Sequence, residues 1–203
     1  MAKEQLPGPL REVVERLSRL PGLGPKSALR AALEILRWPR ERAEDLGRSI
    51  LGLRENLCFC SRCAALSDTD PCGVCADPGR SDEQLMVVAE WDSLLAIESG
   101  GFYRGKYLVL GGLLAPLDNV TRDQLEFGRL RVRLAEGGVR ELILALGATL
   151  EAEATATSVR DLAAQVAPDV AVTRLAQGIP LGAEVKYMDR ETLKQSLVYR
   201  QKL

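Results

Sequence analysis

The chain has 203 residues, 46% of them hydrophobic, which is enough apolar material for one compact domain or two small ones and too much for wholesale disorder. No apolar run approaches the ~18 residues of a membrane-spanning helix and the first residues lack a signal-peptide core, so a soluble, cytoplasmic protein is expected. Histidine is absent, which excludes Ser-His-Asp and Cys-His catalysis and His-ligated metalloenzymes.

The formal net charge of −1 hides an uneven distribution. Residues 1–56 carry 11 Lys and Arg against 8 Asp and Glu, whereas the remainder is net acidic. Arg16, Arg19, Lys26, Arg30, Arg37, Arg40 and Arg42 face only Glu34 and Glu41 over the same stretch. A basic front and an acidic back imply different partners for the two halves.

Leu10, Val13, Val14, Leu17 and Leu20 recur at helical spacing, and Pro7 and Pro9 fit a helix start. A tight break, Leu20-Pro-Gly-Leu-Gly-Pro25, precedes a second helix opening at Pro25, with Ala28, Leu29, Ala32, Leu33 and Leu36 as its apolar stripe. Pro39 ends that helix, and residues 40–57 read as a third with Ala43, Leu46, Ile50 and Leu53 inward. The pattern is a helix-hairpin-helix. Gly22 and Gly24 are expected to take positive φ and let the backbone approach a ligand. The free N–H groups and positive end of the second helix suit a DNA phosphate, with Lys26 and Arg30 on the same side able to reach it. The plainer alternative is a helical hairpin with a solvated basic face.

Cys60-Ser-Arg-Cys63 and Cys72-Gly-Val-Cys75 follow, eight residues apart. Two Cys-x-x-Cys hooks at this spacing place four thiolates for a closed structural zinc site. Gly73 fits a tight knuckle, and Asp68, Asp70 and Pro71 supply the intervening loop. The alternative of two disulfides or free thiols lacks an oxidising compartment to support it. Cys58 lies too close to Cys60 to make a second hook and reads as a spectator.

Beyond Arg80 the pattern alternates strand and helix. Strands are expected at 85–89, 107–110, 141–146 and 170–172, and helices at 92–99, 121–135 and 155–166, with Leu125, Leu130 and Leu134 inward. Residues 147–154 read as a loop, and a last helix spans 191–200. Glu90 ends the first strand, and Glu151 and Glu153 follow the third. Ligands of open α/β sheets bind at that edge, where such carboxylates could hold magnesium for phosphoryl transfer. Ordinary solvated loop glutamates are the alternative.

With these residues in view, the chain resembles the RecR family of bacterial recombination mediators along essentially its whole length. The resemblance rests on Leu20–Arg30, the four cysteines, Val87–Glu90, Ala171–Gly182 and Asp189–Leu193. It implies an α+β, multi-module chain. Residues 1–57 would form a helix-hairpin-helix DNA-binding domain and 58–80 a four-cysteine zinc finger. Residues 81–176 would be an α/β Toprim domain with a parallel sheet, and 177–203 a helical C-terminal oligomerisation segment. It further implies a non-enzymatic protein that binds single- and double-stranded DNA without sequence preference. Such a protein works with RecO and RecF to load RecA on gapped single strands, as a ring, usually a tetramer. Catalytic Toprim enzymes use a Glu and an Asp-x-Asp pair, which the family replaces by Glu-Gly-acidic. This sequence has Glu151-Ala152-Glu153 and so departs even from the family pattern. Two other readings stand beside this one: a magnesium-dependent Toprim nuclease or primase using Glu90, Glu151 and Glu153, and a zinc-ribbon scaffold without a DNA role. On the mediator reading the three glutamates dock a basic partner.

Overall fold

A computed structural model describes residues 6–200; the extreme ends of the first and last expected segments, 1–5 and 201–203, lie outside the described residues. The chain forms two compact units, one ending at Asn56 and the other beginning at Leu57.

The first unit contains α1 (Gly8–Leu17), α2 (Pro25–Arg37) and α3 (Arg40–Asn56). Pro9 sits in the first turn of α1 and Pro25 opens α2, positions where a missing N–H costs nothing. Val14, Ala28 and Ala32 form a small core with Leu10, Leu17, Leu23 and Leu29 around it. The small alanines let α1 and α2 approach closely. Leu20 falls in the turn after α1 and is exposed, so it does not extend the apolar stripe. The inward face expected for α3 is not inward within this chain: α3 has no buried residue, and Ile50 and Leu53 are 58% and 57% exposed. The helical spacing is real, but no element of the first unit buries it.

The second unit is built on a four-stranded parallel sheet of β3 (Ser81–Val88), β4 (Gly105–Val109), β5 (Glu141–Ala145) and β6 (Ala171–Arg174), in the order β4-β3-β5-β6. Period-two alternation divides its side chains between two cores. Leu85, Val87, Leu108, Leu142 and Leu144 pack with α6 (Phe127–Ala135) and α7 (Leu150–Val166) through Leu130, Leu134, Val159 and Leu162. Met86, Val88, Tyr107 and Val109 face the other way, toward Leu94 of α5 (Trp91–Ser99) and the cysteine knuckle. That second face of the sheet is therefore covered by one short helix and the cysteine knuckle.

Residues 121–135 do not form one helix. A short 3-10 turn, Arg122–Gln124, closed by a Thr121/Gln124 capping box, precedes α6. Extended Leu125 separates the two and enters the sheet core. Residues 147–154 are not all loop either. Thr149 accepts a hydrogen bond from the Ala152 N–H, so α7 begins at Leu150 and carries Glu151 and Glu153 in its first turn. Acidic side chains are favourable there against the helix dipole. The last helix, α8, spans Arg190–Val198 with Asp189 as its cap.

Candidate metal centre and nucleic-acid interface

The cysteine knuckle starts with β1 (Cys58–Phe59) paired antiparallel to β2 (Leu66–Ser67). Between them the Cys60 N–H donates to the Ala65 carbonyl and the Ala64 N–H to the Cys60 carbonyl, and Ala64 takes a left-handed φ of 59°. The second hook is wound as α4 (Gly73–Ala76), a single turn capped by the Cys72 sulfur, which accepts from the Cys75 N–H. Gly73 is thus the first residue of a helical turn, and its φ is not among the positive ones. Asp70 ties the hooks together by accepting the Ser61 N–H at 2.7 Å. Hydrogen bonding to that N–H holds its carboxyl below the usual range.

Cys60, Cys63 and Cys72 are buried and Cys75 half-buried, and none forms a disulfide. Their four sulfurs lie within 4.8 Å of one another, with Cys63 and Cys72 Sγ 3.6 Å apart. Tetrahedral zinc thiolate with Zn–S of about 2.3 Å has an edge of about 3.8 Å, so the donors fit zinc in type and spacing. The thiols also perturb one another. Hydrogen bonding from Cys63 lowers Cys75 to about 6, while the same bond and burial push Cys63 far up. Burial pushes Cys72 to about 11. Binding of a dication would favour the thiolate form of each ligand. Exposed Cys58 stands outside the cluster.

In the first unit, Gly22 has φ 79° and nothing within 4 Å of an added Cβ. Gly24 differs from expectation: at φ −71° it is the N-cap of α2, extended rather than left-handed. It offers no side chain to the first N–H groups of the helix, which leaves them open. Lys26 and Arg30 are exposed in the first turns of α2, and no ion pair engages either among the described residues.

At the sheet edge, β3 and β5 are neighbours whose onward connections run to opposite sides, so the gap between their C-terminal ends is the topological switch point. Glu90, the N-cap of α5, follows β3, and Glu151 and Glu153 follow β5; all three are exposed. Glu153 pairs with Arg174 of β6 at 2.6 Å. Glu151 is held ionised by its own backbone N–H and Thr149. Ala152 turns inward, 1% exposed, into the sheet core. A methyl there adds packing and takes no room from the exposed carboxylates.

Sequence reading missed the groups that fasten the knuckle to the sheet. Lys106, on β4 and only 6% exposed, donates to the carbonyls of Val74, Cys75 and Asp77 at 3.1, 3.1 and 2.8 Å. Arg129, on α6, donates to the carbonyls of Cys60 (3.0 Å) and Ser61. Val109 N–H donates to the Cys63 carbonyl at 2.8 Å. Arg80 pairs with Glu98 of α5, which also accepts from Tyr107 at 2.9 Å. A lysine directly before the apolar run Tyr107–Leu110 was the one available signal.

Four family models match, in order: RecR, helix-hairpin-helix at residues 10–53; RecR, four-cysteine zinc finger domain at 57–77; Toprim domain at 83–176; and RecR, C-terminal at 178–201. Among curated proteins, "Recombination protein RecR" of Nitratidesulfovibrio vulgaris is 62% identical over 200 residues, 98% of this chain and 100% of that one. The protein of the same name from Maridesulfovibrio salexigens is 58% identical over the same shares. That from Syntrophobacter fumaroxidans is 43% identical over 99% of both chains. With zinc-finger, hairpin and Toprim matches in one order and relatives aligned end to end, the chain belongs to the RecR family.

Proposed function

We propose that this chain is a non-enzymatic, DNA-binding mediator of recombinational repair. It acts with RecO and RecF to load RecA on gapped single-stranded DNA, as a ring-shaped homo-oligomer, a tetramer. The observation that carries this is the α2 N-terminus. Its uncapped N–H groups, the positive φ of Gly22, and Lys26 and Arg30, exposed and without an ion pair among the described residues, offer phosphate contacts without a base-reading group. One hairpin makes few such contacts, so residence on DNA requires several copies acting together. The exposed Leu46, Ile50 and Leu53 on α3 supply an apolar face for one contact between copies. Tyr187, Leu197 and Tyr199 near the C-terminus supply another. The division into segments 1–57, 58–80, 81–176 and 177–203 follows these roles.

The glutamate edge serves a basic partner protein. Glu90, Glu151 and Glu153 are exposed at a switch point, and Glu153 is already engaged by Arg174, an arrangement better suited to charge-steered docking than to a tight octahedral magnesium site. Charge reversal separates the alternatives. Glu153→Lys should weaken RecO or RecF binding, most at low salt, and leave DNA binding equal or slightly stronger. Magnesium-dependent turnover of DNA or nucleotides that disappears in Glu90→Gln would instead make the chain a Toprim enzyme.

A further inference from the structure

The zinc knuckle is fastened through backbone carbonyls of its hooks to a cation of β4, Lys106, and one of α6, Arg129. Lys106 and Thr155 are the buried polar residues among those described. An ammonium has three N–H donors and no acceptor, and each donor of Lys106 has a carbonyl, from Val74, Cys75 and Asp77. Those carbonyls end the single turn of α4, whose first residue follows Cys72 and which contains Cys75. Helix C-termini leave such carbonyls unpaired and carry a partial negative charge, so a cation there is doubly favoured. Arg129 makes the matching contact on the other hook, at the carbonyls of Cys60 and Ser61. Zinc with four thiolates carries a net charge of −2, and these sulfurs are mostly buried. Charge of that kind in a low-dielectric site needs nearby compensation.

We propose that Lys106 and Arg129 are positioning residues of the zinc site. Each fixes one Cys-x-x-Cys hook in ligating geometry, and Lys106 offsets part of the charge of the zinc–thiolate complex, while Arg129 is also paired with Glu126 at 3.0 Å. The metal is thereby tied to the sheet, and the grip on zinc depends on residues 29 to 69 positions away in sequence from the carbonyls they hold.

The test uses the full-length, zinc-loaded protein. Zinc transfer to excess chromogenic chelator is timed for wild type, Lys106→Met, Lys106→Arg and Arg129→Gln. Lys106→Met and Arg129→Gln should release zinc about 10-fold to 100-fold faster, the usual range for outer partners of metal ligands. Lys106→Arg, which keeps the charge and donors, should recover most of the loss. The cobalt-substituted proteins add a readout that stability alone would not move: the ligand-field bands of Lys106→Met should shift while the protein remains folded. Release within twofold of wild type for Arg129→Gln and whichever Lys106 variants fold, or unchanged cobalt spectra in a folded Lys106→Met, overturns the proposal. Wild type supplies a variant-free check. The Lys106 ammonium protons should exchange slowly in nitrogen-15 spectra of the zinc form and rapidly after chelation; exchange as fast as surface lysines in the zinc form also overturns it.

Discussion

At the scale of single residues, Glu98 shows how environment sets charge. Burial pushes its carboxyl up, but hydrogen bonds from Arg80 and Tyr107 outweigh this and leave its pKa lowered. A carboxyl with a depressed folded-state pKa stabilises fully above the ordinary glutamate range of about 4.3, and that contribution fades as pH falls through the folded value. Glu98→Gln should therefore be less stable than wild type at pH 7, with the gap in denaturation midpoint closing below about pH 4. A gap that is constant with pH would assign the loss to packing instead. Lys26 belongs to the same scale. If it contacts one phosphate, Lys26→Ala should weaken binding to all DNAs alike and lower the slope of log affinity against log salt by about 0.7 to 0.9. Fluorescence anisotropy titrations at several salt concentrations read this directly, and an unchanged slope would move the DNA contact elsewhere.

At the scale of elements, the cysteine hooks and parallel strands were legible in the sequence because spacing and apolar runs are local signals. Strands β3, β4 and β5 contain the expected apolar runs, although β3 begins earlier, at polar Ser81. The start of α7 was not legible: Gly147 and the polar residues after it read as loop, whereas the Thr149 cap turns the chain into helix two residues before Ala152. Lys106 escaped because lysine normally signals a solvated face, and only the three carbonyls of a segment about 30 residues earlier reveal its place. The same carbonyls would be left unpaired if the finger were an independent module. Cys60, Cys63 and Cys72 share a core with Met86, Val88 and Tyr107, so the finger is a layer of the sheet. Cys72→Ser should consequently do more than lose zinc. Near-ultraviolet circular dichroism of Tyr103 and Tyr107, 5.0 Å apart edge to face, should collapse with the zinc content. Retention of that signal in a zinc-free variant would show that the sheet stands alone.

At the scale of the whole molecule, the helical spacing of Leu46, Ile50 and Leu53 suggested an inward face, but α3 buries none of its residues. The periodicity of a helix marks an apolar face and is silent on what, if anything, covers it. If a second copy covers it, Ile50→Glu should lower the oligomer mass while leaving zinc content unchanged, because the zinc site lies in the other compact unit. On the proposed reading, oligomer formation and DNA retention are linked: each hairpin would hold DNA weakly and an assembly would multiply that hold. Sedimentation velocity of the full-length chain, alone and with gapped DNA and RecO, at low and high salt, tests that linkage most directly. The prediction is a species heavier than a monomer that carries gapped DNA, binds RecO, and loses both as salt rises. A monodisperse monomer at tens of micromolar, roughly the range in which weak assemblies persist, with no DNA bound at low salt, would contradict it.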